Sequence, residues 1–139
     1  MARIIGIDYG SKRVGIAVTD PLKIIATALV TVPSHEVMRY LRNYVQKEPV
    51  ETIVVGMATD LNDNPTDSTL LIQDFVKGLK KAFPDLQIET EDERFSSKIA
   101  FQGMIDSGMK KSKRREKGTL DKLSAVVILQ QYMERSSQL

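Results

Sequence analysis

The spacing of apolar residues along the chain changes character near its middle third. From Arg3 to Tyr9, Ile5 and Ile7 share one parity while Ile4 and Gly6 share the other, so neither side is polar and the segment predicts a strand buried on both faces. Asp8 stands at its end. After the turn Tyr9-Gly10-Ser11-Lys12, Val14, Ile16 and Val18 line one face of a second strand, and the opposite face, Gly15, Ala17 and Thr19, is small enough for another element to approach closely. Asp20-Pro21 marks a turn, and the β-rich run Ala26 to Val32 predicts a third strand. Three strands joined by short connections imply an antiparallel meander.

Beyond it, helix and strand patterns alternate. Ser34 is a candidate N-cap for a helix whose apolar face is Val37, Leu41, Tyr44 and Val45, ended by Pro49. Thr52 to Met57 is a continuous apolar strand, and Ala58 to Thr66 is a loop rich in Asp, Asn, Thr and Pro. Leu71, Phe75, Leu79 and Phe83 predict a second helix stopped by Pro84; Gln87 to Arg94 predicts a fifth strand, and Ser96 to Ser107 a short helix. Gly108 to Gly118 reads as a basic loop, and Thr119 opens a last helix that is apolar on most sides. The order βββαβαβαα predicts an α/β fold with a mixed five-stranded sheet and helices on both faces, the order of ribonuclease H-like folds. With 139 residues and no linker pattern, residues 1–139 are expected to form a single domain.

Composition narrows the chemistry. The absence of cysteine removes thiol nucleophiles, zinc-thiolate sites and iron-sulfur clusters, and a single histidine, His35, rules out a histidine-rich metal site. Carboxylates and basic groups must carry any reaction. No run of about 20 apolar residues is present and the N-terminal pattern is that of a strand, so a cytoplasmic protein is expected. The net charge is only +2, yet Lys110, Lys111, Lys113, Arg114, Arg115 and Lys117 crowd into one short stretch with a single acid, Glu116. Such a concentration suits a polyanionic partner.

Three acidic positions are candidates for that chemistry. Asp8 ends a central strand beside Gly10 and Gly15, where a carboxylate can hold a hard cation and the phosphate it neutralises. Asp92 and Glu93 lie on opposite parities of the fifth strand, so only one of them can enter a given site. Asp121 falls in the first turns of the apolar last helix, on the face of Ala125, Ile128 and Tyr132, where an unpartnered charge is costly. Converging, three such carboxylates could hold one or two Mg²⁺ or Mn²⁺ ions for phosphodiester hydrolysis, with the basic loop on the nucleic-acid backbone. Asp20, Asp60 and Asp63 are more simply turn and loop residues, Tyr40 and Tyr44 helix-packing residues, and His35 a surface residue.

The segments GIDYGSKRVGIAVTD (6 to 20), VVGMATD (54 to 60), EDERFSSKIA (91 to 100) and KGTLDKLSAVVILQQYM (117 to 133) resemble the YqgF/RuvX family, Holliday junction resolvase-like nucleases also described as pre-16S rRNA nucleases. The resemblance spans nearly the whole chain, with the four motifs in order. The resemblance implies a ribonuclease H-like fold, a bacterial cytosolic enzyme and a role at the 5′ end of the small-subunit rRNA precursor. It also implies an acidic triad at Asp8, Glu93 and Asp121, with Arg13 and Arg94 as basic motif positions. Two segments depart from the family pattern: MATDLNDNPTDST replaces a glycine-containing loop, and Phe95-Ser96-Ser97 stands where Leu-Thr-Thr is usual. Two other functions fit the same residues: a non-catalytic RNA-binding or ribosome-assembly factor, and a resolvase of branched DNA. The first segment is also similar to the phosphate loop of actin-like and sugar-kinase ATPases, but those close two domains over the nucleotide and need a much longer chain.

Overall fold

In the computed structural model of the chain, residues 2–57, 67–92 and 117–137 are described. Strand β1 (Arg3–Tyr9) pairs antiparallel with β2 (Arg13–Thr19), which pairs antiparallel with β3 (Ala26–Pro33). A single 3₁₀ turn (Ser34–Glu36) leads into α1 (Val37–Lys47), and β4 (Val50–Met57) returns parallel to β1. Helix α2 (Asp67–Ala82) then precedes β5 (Gln87–Asp92), parallel to β4, and α3 (Lys117–Ser137) follows. The sheet order is β3-β2-β1-β4-β5, so the antiparallel meander and the parallel half share β1 as their central strand.

Strand parity sorts the core into two layers. Ile5, Ile7, Val14, Ile16, Ile53 and Val55 face α1 and α2, meeting Leu41, Ile72, Phe75 and Leu79. Ile4, Ala17 and Val54 face α3, meeting Ala125, Ile128 and Leu129. This two-sided burial is what the all-apolar β1 and β4 patterns predict, and it is the expected mixed sheet with helices on both faces. Gly6 and Ala17, paired across β1 and β2, form the small-sided surface on which α3 lies. An added Cβ on Gly6 would stand 2.8 Å from Leu129 Cβ and 3.0 Å from the Ala125 carbonyl oxygen, so the helix backbone sits almost directly on the sheet.

Local signals account for most boundaries. Helix α1 ends at Lys47 because Glu48, preceding Pro49, is driven to extended backbone (ψ 137°). Gly10 makes the β1–β2 turn possible: its N–H donates to the Arg13 carbonyl at 2.9 Å, and a Cβ there would lie 2.6 Å from that oxygen. Two expectations are corrected. Ser34 does not cap α1; its hydroxyl donates to the Ser11 carbonyl at 2.7 Å and its N–H to the Lys12 carbonyl at 3.0 Å, binding the β3–α1 junction to the β1–β2 turn. Lys117 and Gly118, expected in the basic loop, are already helical, because α3 begins two residues before Thr119. Asp20 takes the turn role expected of it, its carboxylate accepting from the N–H groups of Leu22, Ile24 and Ile25 at 3.2, 2.7 and 2.8 Å while Lys23 adopts φ 60°. The Ile25 N–H foremost, joined by those of Ile24 and Leu22, outweighs the cost of desolvation and holds the Asp20 carboxyl below the usual aspartate range. The predicted helix over 96 to 107 and the loop over 58 to 66 lie outside the described residues.

Candidate active site at the carboxyl edge of the sheet

Because β1, β4 and β5 are parallel, their carboxyl ends open on one edge, the usual position for ligands in open α/β sheets. Asp8 is at that edge. It shares the parity of Ile4 and Gly6, so it belongs to the face covered by α3, and the next residue, Tyr9, takes the other face and stacks on Phe75 of α2 with ring centroids 4.4 Å apart. That stack pins the end of β1 and with it the direction in which Asp8 leaves the strand. Gly15 is the β2 partner of Asp8, and Gly56 lies one register step past the Ile7–Val55 pair on β4. A half-buried carboxylate thus stands between two buried glycine positions that carry no side chain.

Helix α3, which carries the second acidic position, covers the face to which Asp8 belongs. Ala125 and Leu129 lie over Gly6, and Gln130, Met133 and Glu134 share a cleft with Ile24 to Ala26, which stand at the opposite edge beside Thr19. The helix therefore runs antiparallel to β1, its N-terminal end above the carboxyl edge. Asp121 is one helical turn ahead of Ala125, about 6 Å of rise. Asp8 is two strand residues beyond Gly6, roughly 6.6 Å in the same direction. Both positions thus lie on the carboxyl-edge side of Gly6.

On β5, position 92 pairs with Met57 and has the parity of Ile88 and Val55, the α1/α2 side, whereas Glu91 pairs with Gly56 and has the parity of Asp8. Gly15, Asp8, Gly56 and Glu91 thus form one row along the edge, with Glu91 two strands from Asp8, about 9.5 Å between backbones. Glu91 is not singled out by the sequence alone; its alternation with Ile88 is the signal that places it on this face. Arg13 opens β2 with the parity of Gly15, exposed at the same edge. Glu93 and Arg94 lie outside the described residues, as do Lys110, Lys111, Lys113, Arg114 and Arg115. Lys117 is placed only by its backbone, in the first turn of α3. Among the described residues no group of three His, Cys, Asp or Glu gathers around a metal-sized space. The donors at this edge are hard carboxylate oxygens, which suit Mg²⁺ or Mn²⁺.

The family model described as "RuvX: Holliday junction resolvase" matches residues 2–135. The chain belongs to the RuvX family. A Bacteroides thetaiotaomicron protein is 47% identical over 134 residues, covering 96% of this chain and 97% of its own length, and carries the name "Putative pre-16S rRNA nuclease". A Flavobacterium psychrophilum protein of the same name is 49% identical over 135 residues, covering 97% and 98%. Among solved structures, Thermus thermophilus RuvC in complex with a Holliday junction substrate matches with a TM-score of 0.57 at 15% identity, over 99% of this chain and 97% of that one. The Fowlpox virus resolvase complexed with Holliday junction DNA matches with a TM-score of 0.58 at 13% identity, over 96% and 98%. These likenesses show the fold, so this RuvX-family chain has the ribonuclease H-like architecture expected from its strand and helix order. Among the described residues, no helix is long and apolar enough to cross a membrane.

Proposed function

We propose that this RuvX-family chain, as one ribonuclease H-like domain, is a cytoplasmic metal-dependent nuclease that hydrolyses a phosphodiester bond in structured RNA, at the 5′ end of pre-16S rRNA. One observation supports it: Asp8 stands between two glycine positions at the carboxyl edge, and α3, the helix that carries Asp121, packs on the same face with Ala125 and Leu129 over Gly6. The names of relatives nearly half identical along almost the whole chain support the substrate class. Asp8, Asp121 and Glu93 are the residues that would hold the divalent ion or ions. We choose Glu93 over Asp92 because position 92 has the parity of the α1/α2 face, opposite to that of Asp8. When bound, such ions activate water at neutral pH and neutralise the leaving oxygen. Arg13, on the same face and edge, and Arg94 then meet the substrate phosphates, and Lys110, Lys111, Lys113, Arg114, Arg115 and Lys117 hold the flanking backbone.

Cleavage of a pre-16S leader transcript and of a synthetic four-way DNA junction, each with Mg²⁺, Mn²⁺ or EDTA, tests the proposal. Metal-dependent cutting of the RNA, abolished by Asp8→Asn and Glu93→Gln but not by Asp92→Asn, is the expected result. Preferential cutting of the junction would reassign the substrate to branched DNA, and tight RNA binding without cutting would leave an assembly factor. Replacing Lys113, Arg114 and Arg115 by Ala should flatten the salt dependence of RNA binding by about 0.7 per lost contact.

A further inference from the structure

The turn that follows Asp8 is held by bonds from outside its own hairpin. Residues Gly10 to Arg13 reverse the chain from β1 into β2, and three successive carbonyl oxygens among them accept hydrogen bonds from the protein. The Ser11 carbonyl takes the Ser34 hydroxyl at 2.7 Å, the Lys12 carbonyl takes the Ser34 N–H at 3.0 Å, and the Arg13 carbonyl takes the Gly10 N–H at 2.9 Å. Two of the three donors belong to one residue, 23 positions away in the chain. Ser34 arrives there because Pro33, the last residue of β3, pairs with Arg13, the first of β2. Its hydroxyl caps no helix, so what it secures is this turn.

The consequence is electrostatic. A carbonyl oxygen carries partial negative charge and repels a phosphate, whereas N–H groups, hydroxyls and cations attract one. With the carbonyls of residues 11, 12 and 13 tied to protein donors, the solvent side of the turn is dominated by groups that attract anions. Ser11, Lys12 and Arg13 are all exposed, which sets a hydroxyl, an ammonium and a guanidinium on three consecutive residues. Among the described residues Lys12 has no carboxylate partner. Closing a hairpin requires Gly10 and its bond to Arg13; it requires neither a distant serine nor two adjacent exposed cations.

Position gives the turn its ligand. Ser11 is three residues past Asp8, within about 10 Å along the chain, at the carboxyl edge where β1 ends and β2 begins. We propose that Ser11 and Lys12, together with Arg13, form a phosphate-gripping turn for a backbone phosphate neighbouring the scissile one, and that Ser34 is the positioning residue that keeps the turn's carbonyls away from it. The proposal rests on the nuclease assignment above for the strand that enters, but it concerns the grip on phosphate, which is measured without cleavage.

Anisotropy of a short fluorescein-labelled single-stranded RNA across a salt series, in EDTA so that no metal-dependent cutting occurs, tests the grip. Lys12→Gln should raise Kd several-fold at low salt and flatten the salt slope by about 0.7, one lost phosphate contact. Ser34→Ala, which removes the hydroxyl bonded to the Ser11 carbonyl, should raise Kd a few-fold, and Ser34→Thr, which keeps a hydroxyl, should restore it. In the Lys12→Gln background Ser34→Ala should change Kd less than it does alone, because Ser34 acts through the placement of Lys12. Strict additivity would overturn the role given to Ser34. In the wild-type protein, acetylation of Lys12 by an amine-reactive reagent should slow when RNA is added, while that of Lys81, exposed at the end of α2, should not; this readout does not depend on any variant folding. An unchanged Kd and salt slope in Lys12→Gln, or equal acetylation of Lys12 with and without RNA, would overturn the subsite. A protein that shows these shifts yet cuts no RNA with Mg²⁺ would keep the subsite and lose the nuclease assignment, so the two failures are distinct.

Discussion

The contact between α3 and the sheet should decide both stability and activity, and Gly6→Ala isolates it. The new methyl would lie 2.8 Å from Leu129 Cβ and 3.0 Å from the Ala125 carbonyl oxygen. Both are fixed to the helix backbone, so no rotamer change relieves the overlap and the helix itself must move. Overpacking of this kind costs about 1–3 kcal/mol. At about 2.1 cal/mol/K per residue, a chain of 139 residues has an unfolding entropy near 0.3 kcal/mol/K at its midpoint, so the melting temperature should fall by about 3–10 °C. The same displacement moves Asp121 relative to Asp8, and a misplacement of about 1 Å costs on the order of a hundredfold in rate, so cleavage at a temperature where the variant is fully folded should fall far more than stability implies. Gly78→Ala is the matched control. A Cβ there has nothing within 4 Å, so removing a helical glycine from α2 should stabilise by about 0.5–1 kcal/mol and leave cleavage unchanged. Differential scanning calorimetry and a single-turnover assay on both proteins give the answer; an unaltered melting temperature in Gly6→Ala would refute the close-packed helix, and an unaltered rate would separate α3 from the site.

Asp121→Asn should relieve carboxylate repulsion at the edge, raising the melting temperature without metal and shrinking the shift produced by Mg²⁺; a lower metal-free value with a full Mg²⁺ shift would sink the shared site. Thr19, fully buried, accepts the Ile4 N–H on its hydroxyl at 2.9 Å, so the isosteric Thr19→Val strands that donor and should cost about 1–3 kcal/mol by urea titration. For Asp20 the folded pKa is depressed, so its stabilisation is full at neutral pH and is lost as pH falls through that lowered value. The melting gap between wild type and Asp20→Ala should therefore be constant from pH 7 down to the ordinary aspartate range and close only below it; a gap that closes near pH 6 would point to another group.

What could be read from the chain alone was whatever depends on neighbours a few residues away. Alternation around Ile5, Ile7, Val14 and Ile16 marked strands, the Val37, Leu41, Tyr44 and Val45 spacing marked α1, and Pro49 marked its end, because parity, helical period and proline sterics act within a turn or two of backbone. The small residues Gly15, Ala17 and Thr19 even announced that something would lie close on their face. Nothing local said what it would be. That α3 fills that place, that it runs antiparallel to β1, and that Gly56 and Glu91 share a row with Asp8 are results of pairing between segments dozens of residues apart, selected by burial of whole faces. Ser34 shows the same limit in miniature: its residue type suits a helix cap, but the turn at Ser11 and Lys12, brought alongside by the β2–β3 register, offered it carbonyl oxygens, and tertiary proximity outweighed local preference.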